Sequence, residues 1–197
     1  DAGYLGWFFP GTVVLVVLFA AIFSTISVIE DRREGFLQAV VVSPASPLSV
    51  AAGKIAGGTL LALAQGGVLL ALAPLLGFAP SAAALAPALI VLALVALALT
   101  GLGLAIAWML ESTQGFHAVM NLVLIPMWFL SGSFFPAEGA PAWLRAAMAA
   151  NPLTYGVASL RRALDPAAAA GPSATFSVVV TLAFALGAAL AAAAVIA

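Results

Sequence analysis

Residues 55–110 read IAGGTLLALAQGGVLLALAPLLGFAPSAAALAPALIVLALVALALTGLGLAIAWML, without one Asp, Glu, Lys or Arg. As a single helix this run would be about 84 Å long, at about 1.5 Å per residue. The hydrocarbon core of a bilayer is only about 30 Å thick. The run therefore predicts two crossings with a turn between them, and Gly77-Phe78-Ala79-Pro80-Ser81 supplies turn residues. Barrel strands alternate apolar and polar residues over about ten positions. This run is apolar on every side, and a helix satisfies its own backbone inside lipid.

The rest of the chain repeats the pattern. Of 197 residues, 65% are hydrophobic and only 7% charged, against about a quarter charged in an ordinary soluble domain. That is too little polar surface to cover a soluble fold. The expected architecture is an all-α integral membrane protein, one transmembrane domain over 1–197, with spans at about 11–29, 50–76, 82–110, 116–134 and 173–197. The start at Asp1 and the apolar end at Val195-Ile196-Ala197 are those expected of a trimmed chain. The first apolar run is too long for the core of a signal peptide. A net charge of −1 without a basic patch leaves nothing to hold nucleic acid. With no cysteine there are no thiolate metal ligands and no cysteine nucleophile.

Within the spans, Gly53 and Gly57 form a small-xxx-small pair, and Gly58, Gly66, Gly67, Gly101 and Gly103 add small residues. Close helix–helix contact and the chance spacing of an Ala- and Gly-rich chain both account for them. Pro126 sits mid-span and is expected to kink its helix.

The loops carry the charge. Glu30-Asp31-Arg32-Arg33-Glu34-Gly35-Phe36-Leu37-Gln38 is followed by Ala39 to Val42 and the break Ser43-Pro44-Ala45-Ser46-Pro47. Residues 30–42 read either as a short amphipathic helix, with Phe36, Leu37, Val40 and Val41 toward lipid or the bundle, or as a solvated loop. Ser46-Pro47 suits an N-cap and a first helical position, and Lys54 can snorkel from the next helix. His117, the only histidine, is better placed as an interfacial residue than as a metal ligand, because no ligand cluster accompanies it. Between the last two spans, two short helices are expected at about 141–150 and 152–164. Asn151-Pro152 caps the second, and Leu153, Val157, Leu160 and Leu164 form its apolar stripe. Trp143 and Tyr155 are expected as interfacial anchors. Charge does not set orientation: Arg32, Arg33 and Lys54 on one side balance Arg145, Arg161 and Arg162 on the other.

Three blocks resemble one family, the permeases of the type-2 class of ABC exporters. They are Phe9-Pro10-Gly11; Glu34-Gly35-Phe36-Leu37-Gln38 with Val42-Ser43-Pro44 and Gly53-Lys54; and Leu130-Ser131-Gly132-x-Phe134-Phe135-Pro136 with Pro141-x-Trp143-Leu144 and Asn151-Pro152-Leu153-Thr154-Tyr155. The order and spacing of these blocks against the five spans make the match specific. Phe36 and Gln38 stand where the family often has threonine and glutamate.

The resemblance implies six spans in the family, of which the first is missing here. It makes residues 30–42 a cytoplasmic coupling helix, with Glu30, Asp31, Arg32, Arg33, Glu34, Gly35, Phe36 and Leu37 docking on an ATPase subunit. It makes the two short helices re-entrant on the outer face, with Phe134, Phe135, Pro136, Asn151, Pro152 and Tyr155 at an outer gate. The implied assembly holds two permeases, as a homodimer, and two ATPase subunits in the cytoplasmic (inner) membrane. ATP and magnesium would belong to the partner, since this chain has no Gly-rich nucleotide loop.

A substrate pathway at the dimer interface is expected along Phe19, Phe23, Ser24, Asn121, Met127, Trp128 and Phe129. Aromatic and methionine linings suit lipophilic or amphipathic cargo, such as a drug, a lipid or a lipid-linked glycan. A secondary transporter or channel is the alternative, but the scarcity of intramembrane charges counts against ion coupling. An intramembrane enzyme would need a nucleophile with its base, or a metal cluster, which the spans do not offer.

Overall fold

Ser46 opens a helix as its cap: the Ser49 amide donates to Ser46 Oγ at 3.2 Å, with Pro47 at the first position. Asn151 and Pro152 repeat the device, the Leu153 amide donating to Asn151 Oδ1 at 3.0 Å. Each supplies an acceptor to an amide that has no partner within its own helix. The structure, a computed structural model, describes residues 2–35, 46–76, 80–165 and 171–196. Its helices are α1 (Ala2–Thr25), α2 (Ser27–Arg33), α3 (Pro47–Leu72), α4 (Ala82–Met109), α5 (Thr113–Trp128), α6 (Ala142–Ala150), α7 (Pro152–Leu164) and α8 (Ala174–Ile196). A 3-10 turn, Ala73–Leu76, extends α3.

Five stretches are long and apolar enough to cross a bilayer: Gly6–Arg33, Leu48–Leu75, Ala82–Met109, Thr113–Ser133 and Ala174–Ile196. The protein is an all-α, multi-pass membrane protein. The first crossing stretch joins α1 to α2 across a turn at Ile26. The coupling helix expected at 30–42 is not continuous. Its first part is the end of α2, which closes at Arg33 with Glu34 as C-cap, and Gly35 takes φ 80°, a left-handed conformation that ends a helix. Residues 36–45, including Phe36 and Leu37, lie outside the described residues.

The core lies between α1 and α4. Their apolar windows are 56% and 61% buried, against 28–33% for the other three spans. Val13, Val14, Leu18 and Ile22 of α1 meet Leu92, Val95 and Leu99 of α4 there. On the far side of α4, α8 packs so closely that a Cβ on Gly101 would stand 2.9 Å from the Ala188 carbonyl carbon and the Ala189 nitrogen. Gly53 and Gly57, by contrast, have nothing within 4 Å of a built Cβ, so that pair makes no close helix contact among the described residues.

The stripe expected on α7 is buried: Leu153, Val157, Leu160 and Leu164 are each at most 5% exposed. The other side of α7 is buried as well, including Gly156, Ser159 and Arg161. The helix is therefore inserted in the bundle, not laid on its surface. Tyr155 is accordingly not a surface anchor. It is 9% exposed, donates its hydroxyl to the Ala149 carbonyl at 2.8 Å, and meets the Phe176 ring edge-on. Trp143, at 72% exposed, remains free to sit at an interface.

Candidate functional site

At one end of the bundle α2 is clamped. Lys54 Nζ donates to Asp31 Oδ2 at 2.5 Å and to Ser27 Oγ at 3.1 Å, tying α2 to the first turns of α3. Arg32 turns the other way. Its Nη2 donates to the Trp108 carbonyl at 2.6 Å and its Nη1 to the Leu110 carbonyl at 3.4 Å, and the guanidinium lies 4.9 Å from the centroid of the Trp108 ring. A cation at the carbonyl end of a helix answers both the orphan carbonyls and the macrodipole. Of the residues expected to face an ATPase, Asp31 and Arg32 are thus engaged within the chain. Glu30, Arg33 and Glu34 are exposed.

Where α1 and α5 meet, aromatic and polar residues lie at the surface of the bundle. Phe19 and Phe23 lie side by side along α1 with centroids 5.5 Å apart and rings tilted by 34°, and Phe23 meets His117 of α5 edge-on at 5.7 Å. Asn121 is exposed one turn further along α5, Phe23 and Phe129 are 47% and 43% exposed, and Met127 is half-buried. Two residues expected on this surface point elsewhere. Ser24 donates to the Ala21 carbonyl at 2.6 Å and faces Gly58 of α3. Trp128 is 6% exposed and donates from Nε1 to the Gly11 carbonyl at 2.8 Å. It fastens α5 to α1 and does not line a path.

At the opposite end from the clamp, α5 breaks. Residues Phe129–Ser133 form a π-type turn in which Gly132 takes φ 78°. The chain kinks there, and Phe129 stacks on Phe134 at 4.7 Å with 13° between the rings. Trp128 and Phe8 add edge-on contacts to Phe134 at 4.9 and 5.3 Å. A break strands carbonyls, and side chains meet them. Asn151 Nδ2 donates to the Met127 carbonyl at 2.6 Å, Ser131 Oγ to the Trp128 carbonyl at 2.6 Å, and Arg161 Nη2 to the Gly132 carbonyl at 3.0 Å. The Thr154 hydroxyl has one proton for two carbonyls, Met148 at 2.7 Å and Leu130 at 3.2 Å. Of the other expected gate residues, Phe135 is half-buried, Pro136 is exposed and Pro152 opens α7.

In the sequence Arg161 was legible as a charge near the end of an amphipathic helix and, with Arg162 as the alternative, as the arginine that follows the Asn151–Tyr155 block of the family resemblance. It is 5% exposed, lies 3.6 Å from the centroid of the Trp7 ring and also donates to the Trp7 carbonyl at 3.2 Å. Its Nε has no hydrogen-bond partner among the described residues. Burial lowers its pKa from the usual guanidinium range to about 10, with the Glu138 carboxylate acting in the opposite sense, so it remains a cation at neutral pH. The available signal was spacing. Residues 151, 154 and 161 fall on one helical face, and each can donate a hydrogen bond.

The family model described as ABC-2 type transporter matches residues 2–164. The chain is also similar to the putative transport permease ycf38 of Cyanophora paradoxa, 27% identical over 163 residues, which are 82% of this chain and 56% of that protein. It is similar as well to the probable multidrug ABC transporter permease YbhR of Escherichia coli (strain K12), 26% identical over 151 residues, 76% of this chain and 41% of the relative. The chain spans about half the length of these curated relatives.

Proposed function

The chain belongs to the ABC-2 type transporter family, the matched region running from α1 to the end of α7, and we propose that it is the membrane permease of an ATP-driven exporter. Two copies of the chain and two ATPase subunits make the working unit, in the cytoplasmic membrane. ATP and magnesium are held by the partner. The cargo is lipophilic or amphipathic: a drug, a lipid or a lipid-linked glycan. The description of the Escherichia coli relative as a probable multidrug ABC transporter permease agrees with this.

The observation that carries the reading is the shared surface of α1 and α5, where Phe19, Phe23, Asn121 and Phe129 stand exposed or half-buried. Two such surfaces facing each other enclose an aromatic path with almost no charge, suited to apolar cargo. At the clamped end, ATPase closure pushes on Glu30, Arg33, Glu34 and the residues that follow. Asp31 and Arg32 pass the motion to α3 and α4 through Lys54 and the Trp108 carbonyl. The result is a two-state switch biased by a partner's differential contacts.

Phe36→Cys tests the assignment in membranes containing the partner ATPase. A crosslink to the ATPase whose yield changes with nucleotide is the expected result. Labelling of the thiol by an impermeant reagent from outside, with no crosslink, would invert the orientation and leave a partner-independent transporter as the better reading.

A further inference from the structure

The break after α5 and the polar side of α7 are complementary. In an unbroken helix, residues 129 and 134 would be separated by about 140° around the axis and about 7.5 Å along it. Their rings could not stack. They stack here because residues 129–133 form a wider π-type turn, which brings positions five apart toward one side, and the chain kinks at Gly132, at φ 78°. That kink survives only if its carbonyls find donors, since an unpaired buried carbonyl is costly. α7 provides them from one face, with Asn151 on the Met127 carbonyl and Arg161 on the Gly132 carbonyl. Arg161 extends the contact to α1 through the Trp7 ring and carbonyl.

We propose that Asn151 and Arg161 are positioning residues for the outer gate: they hold the broken end of α5 in its kinked π-type form and thereby keep the Phe129–Phe134 stack closed. They touch the backbone that carries the gate, and act on cargo only through it. Lifting α7 by one hydrogen-bond length removes these donors together. The break then loses its support and the stack opens. The inference rests on the reading that this end of the bundle faces outward.

Asn151 allows the two roles of the residue to be separated. Its Oδ1 caps α7 and its Nδ2 holds Met127. Asn151→Asp keeps a capping acceptor and removes the amide donor, and Asn151→Ser keeps a capping acceptor without a charge, its hydroxyl one bond shorter than the amide that reaches the Met127 carbonyl. The assay uses the full permease assembled with its ATPase in membrane vesicles, with Phe135→Cys, half-buried beside the stack and leaving both rings in place, as reporter thiol. The measured quantity is the rate of labelling by an impermeant thiol reagent added from either side.

Both Asn151 variants are expected to raise labelling from the outer side by about tenfold, equivalent to about 1.4 kcal/mol. Thr154→Ser, which retains a hydroxyl, is expected to label at the parent rate. Arg161→Lys, with its cation but no fork, serves in place of any Asn151 variant that fails to assemble, and the same rise is expected. Assembly is checked by monodisperse elution in detergent. A parent-like outer rate in assembled Asn151 or Arg161 variants overturns the inference, even if those variants melt at lower temperature. Labelling from the cytoplasmic side alone, in the parent as well, overturns the outward reading and the inference with it.

Discussion

Gly11 has no side chain because Ser133 occupies the space one would need. A Cβ built on Gly11 falls 2.5 Å from Ser133 Cβ and 3.0 Å from its Cα, so the neighbour's backbone as well as its side chain would have to move. The Gly11 carbonyl accepts the Trp128 indole at 2.8 Å, so the same residue anchors α5 twice. Gly11→Ala is expected to cost about 1–3 kcal/mol, the usual range for overpacking a filled site. Thermal unfolding of the purified permease in detergent measures it. Ser133→Gly in the same chain should recover part of the loss, because two residues in contact do not add independently. An Ala variant that melts with the parent would show that the contact yields freely. Phe9-Pro10-Gly11 and Leu130-Ser131-Gly132 were both visible as motifs in the sequence. That they are halves of one contact was not visible, because local periodicity says nothing about partners more than a hundred positions apart.

The elements differ in how far their roles could be read. The crossing helices were legible because apolar length is a local property and the bilayer sets the required length. α7 was half legible: its apolar stripe follows from spacing and its re-entrant placement from the family resemblance, but that its polar face donates to a broken helix was not visible. α2 was misleading in a similar way. Charges in a loop look solvated, yet two of them are turned inward by groups on α3 and α4. These two should contribute unequally. The Asp31 and Lys54 side chains are 24% and 31% exposed, and such half-exposed pairs contribute about 0–1 kcal/mol. Arg32 makes a charge-assisted bond to the Trp108 carbonyl and stands over an aromatic ring, contacts that are stronger when partly buried. Asp31→Asn should therefore cost less than about 1 kcal/mol, and Arg32→Gln about 1–3 kcal/mol. Under the proposed mechanism, Arg32→Gln should also lower transport per ATP hydrolysed, measured in vesicles with both subunits. Equal melting losses for the two variants would mean that α2 is held by its packing and not by Arg32.

At the scale of the whole molecule, the bundle has an asymmetric exterior. Leu186 and Leu190 of α8 are 52% and 69% exposed, which is ordinary for a helix bathed in lipid. The α1–α5 surface instead exposes Asn121 and His117 beside Phe23. Polar groups facing hydrocarbon are costly, so this surface benefits from a partner or from water, as does the exposed Gln65 on α3. If that partner is a second copy related by a two-fold axis, the contact is isologous, and a residue near the axis meets its own equivalent. Asn121→Cys is then expected to form a disulfide-linked dimer in membranes under mild oxidation, while Leu190→Cys stays monomeric under the same conditions. Cargo bound between the copies should slow the Asn121→Cys crosslink, because it would occupy the space the two thiols must cross. Crosslinking at Leu190 but not at Asn121 would place the second copy against α8. The aromatic surface of α1 and α5 would then face lipid, and the path for cargo would have to be sought along α8.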